Sequence, residues 1–438
     1  MKPTLIHARH LVPIRPARVV LENHCVVVSG DRIVEVVSSD IARSRYPDGD
    51  EVSLPHHVLL PGLVNAHTHS PMTLLRGLAD DLDLQVWLNQ HIWPVENRFV
   101  CAEFVADGTR LAVAEMLRAG TTCFNDMYFF PDVMADVVVK TGIRACIGLI
   151  IIEMPTVWAK GVDEYLAKGL GLLKCWPADS RISFAFAPHA PYSVSDGTLT
   201  RIADLSGEHD IPVHVHLLES EWEIKQSLQA HGIRPLQRMQ NRQLLNSRLL
   251  AVHMTQLSAE DIRLLATQGA HVVHCPQSNL KLASGFCPVS DLLAASVNVA
   301  LGTDGAASNN NLDLLSEAQT AALLAKGVTA DPRAIDAFTA LEMATINGAR
   351  ALHMDQQIGS IECGKQADLA ALDLYAVETQ PLFHVISQLV YAASSRQFTD
   401  VWVAGRRLLQ KGELTSIEIE EVLAAAESWR SKLSACAS

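Results

Sequence analysis

Positive charge is scarce in this sequence. Its 438 residues carry 35 lysines and arginines against 48 acidic side chains, a formal charge of −13. That balance speaks against a nucleic-acid partner, which needs a basic face to displace counterions from phosphate. Long hydrophobic runs are also missing. The greasiest stretch, Gly142 to Met154, contains Arg144 and falls short of the roughly 18 to 20 apolar residues that span a bilayer. The cysteines form no Cys-x-x-Cys pair: nine of them, an odd number, are scattered from Cys25 to Cys436. This is neither a disulfide framework nor a zinc knuckle and points to a reducing compartment. The opening Met1-Lys2-Pro3-Thr4-Leu5-Ile6-His7 lacks the basic-then-apolar layout of a signal peptide. A soluble cytoplasmic protein is therefore expected, without nucleic-acid or membrane partners.

What is present is a regular alternation. Short apolar runs, rich in β-branched residues, recur as Val58–Val64, Thr121–Phe124, Arg144–Ile150, Arg181–Ala187, Pro212–His216, Leu249–His253, His271–His274 and Val297–Asp304. Helix-compatible segments such as Glu103–Ala119, Asp196–His209 and Ser258–Gln268 lie between them, the last opening on a Ser258/Asp261 cap pattern. Apolar strands alternating with helices indicate a parallel sheet covered by helices, and eight such units fit a (β/α)8 TIM-type barrel with its chemistry at the C-terminal strand ends. No Gly-x-Gly-x-x-Gly turn follows the early strands, which disfavours a doubly wound open sheet. The flanks read differently. Val19–Leu21, Cys25–Val28 and Ile33–Val37 near one end, with Ala367–Leu372 and Val401–Gly405 near the other, predict a small β-sandwich domain formed by both chain ends. The expected division is 1–56 plus 357–438, ending in a helix, around a barrel of 57–356.

The strongest chemical signal is Pro61-Gly62-Leu63-Val64-Asn65-Ala66-His67-Thr68-His69. Alternate residues on a strand face the same way, so His67 and His69 can both point into a barrel mouth and grip one metal ion. Later strands end in His216, His253 and Asp304, which is hard to attribute to packing. The fourth strand, Arg181–Ala190, has no lysine to bridge two ions, so a single divalent ion held by His67, His69, His216 and Asp304 is expected: zinc first, with iron or manganese fitting the same groups. Glu219, three residues past His216, lies within reach of the proton of an activated water. Glu221 and Glu223 read as the solvated face of the helix that follows. His214 has no assignment, His271 and His274 read as core or loop anchors, and Trp87 and Trp93 divide between packing and capping an aromatic base.

These segments resemble the amidohydrolase superfamily, in its branch with one metal and a flanking β-domain, and within it the 5'-methylthioadenosine/S-adenosylhomocysteine deaminases. The likeness runs nearly end to end. It includes Pro61–His69, Leu74–Asp81, Trp93-Pro94-Val95-Glu96, Ala187-Pro188-His189-Ala190-Pro191-Tyr192, His274-Cys275-Pro276-Gln277-Ser278-Asn279 and Gly302–Asn309. Triazine hydrolases share much of this pattern, so triazine hydrolysis and guanine or cytosine deamination are the enzymatic alternatives. An inactive ligand-binding scaffold is the non-enzymatic one.

The resemblance implies a metal-dependent aminohydrolase that deaminates adenine at C6 in a small nucleoside, with room for a homo-oligomer. Glu219 would carry the proton to the ring, His253 would position the attacking water or oppose the developing charge, and Asp304 would collect a proton while ligating. Glu96 would accept from the ribose hydroxyls and His189 would bind the purine, with Glu219 and Asp304 also touching the substrate. Family members that handle S-adenosylhomocysteine can bind its carboxylate with arginines near the third strand. Here no arginine occurs between Arg144 and Arg181, although Lys160 falls in that stretch, so methylthioadenosine is expected to be favoured.

Overall fold

The run from Val58 to Val64 looks like one strand, yet it serves two sheets. In the computed structural model, which describes residues 2–434, Val58–Pro61 ends a long strand, Asp50–Pro61, and a new strand, Leu63–Thr68, begins beyond Gly62. Gly62 N donates to Asp368 O (3.0 Å) in the first sheet, while Leu63 N donates to Gly120 O in the second. A Cβ at Gly62 would lie 2.1 Å from the Thr122 side chain, so the crossover needs glycine. The expected division at 56/57 falls inside Asp50–Pro61.

The second sheet is the barrel. Its strands are Leu63–Thr68, Thr121–Tyr128, Arg144–Ile151, Ile182–Pro188, Val213–Leu217, Leu249–His253, His271–His274 and Asn298–Leu301, each parallel to the next. Closure comes from Asp304 N donating to His67 O (3.0 Å), and from Asn65, whose amide bonds both Thr303 N and Thr303 Oγ1. Inside pack small and β-branched side chains such as Val64, Ala66, Cys123, Cys146, Ala185 and Val273, all fully buried. Two cysteines thus act as small apolar fillers, and burial pushes the Cys146 thiol up to about 12. All cysteines among the described residues are free, and Cys436 lies outside them. The outer helices start where the sequence signals them: Ser195 Oγ caps Asp196–His209, and Ser258 and Asp261 form the expected capping box on Ala259–Gln268.

The other sheet joins the chain ends. Its eight strands run in the order Glu413–Leu414, Arg406–Gln410, Phe398–Val403, Leu369–Asp373, Asp50–Pro61, Thr4–Leu11, Leu21–Ser29 and Arg32–Ser38. Asp50–Pro61 pairs with an N-terminal strand on one side and a C-terminal strand on the other. The terminal helix, Ile419–Ser434, anchors on the barrel helix Ala102–Arg118 through an edge-to-face Phe104–Trp429 contact and a bond from Trp429 Nε1 to Asp107. No helix among the described residues is long and apolar enough to cross a membrane.

One buried ion pair ties the two sheets together. Arg144, on the third barrel strand, donates through Nε and Nη2 to Asp368 at 2.7 and 3.0 Å, both side chains being 1% exposed. Removing one partner of such a pair strands the other charge. Asp368→Ala is expected to lower the unfolding free energy by about 3–5 kcal/mol, measured by urea titration. A loss under about 1 kcal/mol would show that Arg144 is satisfied by Ser180 O and Gln366 alone.

Candidate active site

The barrel brings its polar strand ends to one mouth. His67 is in the first strand and His69 just past it, His216 is in the fifth, and Asp304 follows the eighth; one ligand atom from each lies within 4.8 Å of all the others. The ring nitrogens show what the cluster is for. His69 Nδ1 donates to Met127 O (2.6 Å) and His216 Nδ1 to His189 O (2.8 Å). A carbonyl only accepts, so these protons sit on Nδ1, and each ring in its neutral form turns a bare Nε2 lone pair toward the cluster. His67 Nδ1 lies 2.8 Å from His214 Nε2, and with the shared proton on His67 its Nε2 is bare as well. The three Nε2 atoms then converge, His216 lying 3.2 Å from both others, while Asp304 Oδ1 stands 3.1 Å from His67 and 3.2 Å from His69. Burial lowers His67 to about 4 and His216 well below the usual imidazole range, whereas at His69 the Asp304 carboxylate outweighs burial and raises the ring to about 9. Lone pairs facing one another beside a carboxylate are satisfied by a cation, and this donor set fits a divalent ion.

The support around the cluster is dense. Asp304 has a left-handed backbone (φ 62°), a conformation kept for a non-glycine residue when its surroundings over-determine it. Its Oδ1 accepts from Gly305 N, and its Oδ2 from Ser278 Oγ (2.6 Å) and Ser308 Oγ (2.9 Å). Burial would push this carboxyl up, but the His67 and His69 rings hold it well below the carboxylate range.

His253 ends the sixth strand outside the ligand group, its ring stacked on His216 at 5.4 Å. Asn279 Oδ1 accepts from His253 Nδ1 (2.9 Å), which leaves Nε2 facing Glu219 Oε1 at 3.8 Å. Glu219 is buried, and burial raises its carboxyl. Glu96, on the helix Trp93–Phe99, is buried as well. Tyr128 Oη donates to it at 2.6 Å, and burial, against that bond, brings its carboxyl to about 7. His189 follows the fourth strand, with Ser193 Oγ 3.1 Å from Nδ1 and its ring 5.1 Å from His216.

His69, His216, Asp304, Glu219, His253, Glu96 and His189 line one cleft of about 1220 Å³, counted with its open mouth. His67 sits beneath it, fully buried. Trp87 and Trp93 both reach the wall, which continues through Leu84, Leu88, Phe129, Ile152 and Met154. Trp87–Ile92 is a π-helical turn, a widening that recurs at functional sites. Among the lining residues there is no lysine or arginine, and Lys160 is not among them.

Several supporting residues escaped the sequence reading. Ser278, Asn279 and Ser308 sit inside motifs that carried the family resemblance but received no role, and His214 alternates with His216 and backs His67. Tyr128 gave no signal. The solvated-face reading of Glu223 is overturned, for it is 2% exposed and folds back onto the backbone before its own helix. His271 bonds Asn298 and faces His353, an anchoring role as expected.

Comparison with known proteins agrees with this geometry. Residues 58–408 match the amidohydrolase family. A 5-methylthioadenosine/S-adenosylhomocysteine deaminase of Teredinibacter turnerae is 48% identical over 98% of this chain and 97% of its own. A zinc-bound adenosine deaminase structure from Xanthomonas campestris is 55% identical, with a TM-score of 0.97 over 99% of this chain and 98% of that one. An atrazine chlorohydrolase from Arthrobacter aurescens shares the fold (TM-score 0.91, covering 97% and 99%) at 21% identity. Likeness of this extent makes the chain a member of the amidohydrolase family and, within it, of the 5-methylthioadenosine/S-adenosylhomocysteine deaminases.

Proposed function

We propose that this protein hydrolyses the C6–amino bond of adenine in 5'-methylthioadenosine, giving the inosine-type product and ammonia. The observation that carries the reading is the joining, in one cleft, of the His69/His216/Asp304 ligand atoms with Glu219, His253, Glu96 and His189. His67, His69, His216 and Asp304 would hold one ion, taken here as zinc, whose donors are typically imidazole and carboxylate. The bound metal would supply Lewis-acid activation of the attacking water.

The chain's own groups do the rest. Glu219 takes a proton from the water and delivers it to the purine ring nitrogen as the water oxygen adds to C6. Asp304 takes the second water proton from the oxygen now on C6, that proton passes to the amino nitrogen, and the C6–N bond breaks to release ammonia as the C6 carbonyl forms. His253 Nε2, its other nitrogen tied to Asn279, points at the same region and orients the water. Glu96, oriented by Tyr128, accepts hydrogen bonds from the ribose diol, and His189 faces the base.

The test is ammonia release with the adenine-to-hypoxanthine absorbance change, using metal-replete protein and 5'-methylthioadenosine, S-adenosylhomocysteine and adenosine in turn. No turnover of any adenosine would overturn the reading. The cleft wall offers apolar groups and no cation where an amino-acid carboxylate would need one. A charge-assisted hydrogen bond contributes about 1.5–3 kcal/mol. Hence kcat/KM for methylthioadenosine is expected to exceed that for S-adenosylhomocysteine by roughly tenfold to a hundredfold, and equal or better turnover of the latter would defeat this preference.

A further inference from the structure

Ser220 and Glu223 open the helix Glu221–His231 with the spacing of a capping box. In that motif the glutamate returns to the backbone amide of the serine. Here it reaches further back. Glu223 Oε1 accepts from Leu218 N at 3.0 Å and Oε2 from Glu219 N at 2.9 Å. Half of the box survives, with Ser220 Oγ accepting from Glu223 N at 3.4 Å.

The two clamped amides belong to the turn that aims Glu219. Leu218 has φ 50°, in the left-handed region that a residue with a Cβ seldom adopts. This turn takes the chain out of the fifth strand and leaves Glu219 facing His253. Both peptide groups of Glu219 are tied down. Leu218 O accepts from Gln256 N (3.1 Å), and Glu219 O accepts from Thr255 Oγ1 (2.7 Å). A helix cap alone needs none of this, because Ser220 already supplies one.

We propose that Glu223 is a positioning residue for the deamination: its carboxylate clamps the Leu218 and Glu219 amides and so fixes where the Glu219 carboxylate stands against the purine. The proposal rests on the proton-transfer role given to Glu219 above. A carboxylate suits the task because it offers two acceptor oxygens and no donor. Glutamine has nearly the same volume, but its NH2 would meet a backbone N–H head on and open the clamp on one side.

The test combines Glu223→Gln with hydrogen exchange and a double-mutant cycle. In the wild-type protein, with or without metal, the Leu218 and Glu219 amides are expected to be as protected as those of Val213 and Val215; free exchange there would overturn the clamp. In Glu223→Gln these two amides exchange at least about tenfold faster. The kcat for 5'-methylthioadenosine falls roughly tenfold to a hundredfold, while KM and metal content stay within about threefold and the wild-type value respectively. In a Glu219→Gln background the same change costs less than about twofold, since the group being aimed is gone. A full additive loss in that background, or a kcat within about twofold of wild type in Glu223→Gln, would overturn the proposal. Glu223→Asp, which keeps the charge but withdraws it by one methylene, is expected to show the same pattern and guards against misfolding of the first variant. An active Glu219→Gln, or a wild-type protein that releases no ammonia, would instead refute the functional reading, and the exchange result stands apart from both.

Discussion

Glu219→Gln is expected to lower kcat for 5'-methylthioadenosine by roughly 10²–10⁴-fold, the span of a positioned acid–base group, with the metal content unchanged. Glutamine keeps the size and the backbone clamp but neither accepts the proton of a water nor releases one to the ring. Glu219 stands outside the four-residue cluster and 3.8 Å from His253 Nε2, so its loss removes no ligand. Its burial raises the carboxyl above the ordinary range, and the His253 ring draws it back. A group so placed can hold a proton between taking it and giving it. Ammonia release under saturating substrate, beside metal analysis of the same sample, checks this. A kcat within tenfold of wild type would move the proton transfer to another group, with His253 and Asp304 next in reach.

How much of the site could be read in the sequence depended on whether an element's own periodicity placed the residue. His67 and His69 alternate along one strand exit, and His216 and Asp304 come at the corresponding ends of later strands. Once the parallel barrel is recognised, their convergence follows from its geometry. The helix caps at Ser195 and Ser258 were legible for the same local reason. Contacts made across elements were not. Tyr128 meets Glu96 from 32 residues away, on a strand with nothing unusual in its pattern. Glu223 shares an alternating acidic run with Glu221 that reads as solvated surface. Only the left-handed turn at Leu218 brings two free amides to face it, and that turn leaves no mark in composition. The change of sheet at Gly62 was hidden because both sheets bury apolar residues. Val58–Pro61 and Leu63–Val64 look alike in sequence although their hydrogen bonds belong to different layers.

Stripping the metal with a chelator is expected to abolish turnover, and about one equivalent of a divalent ion per chain to restore it. His69→Ala and His216→Ala should each bring the bound metal below about a tenth of an equivalent and take the activity with it. The hydrogen-bond donors fix this outcome. Met127 O and His189 O hold the Nδ1 protons of His69 and His216, so neither ring can turn its N–H into the cluster to satisfy a neighbour without losing a bond of 2.6 or 2.8 Å. The aim of the Nε2 atoms into the cluster is therefore built into the backbone at the ends of the second and fourth strands. His214 extends the same logic one layer outward, since it faces the nitrogen of His67 that points away from the cluster. His214→Ala should leave the four ligands in place but weaken metal affinity by about 10–100-fold, the usual cost of losing a group behind a ligating histidine. Titration of the metal-free variants with zinc separates the two cases. Stoichiometric metal in His69→Ala or His216→Ala, or undiminished activity in the chelated protein, would show that the converging lone pairs serve the fold and that the chemistry lies elsewhere in the cleft.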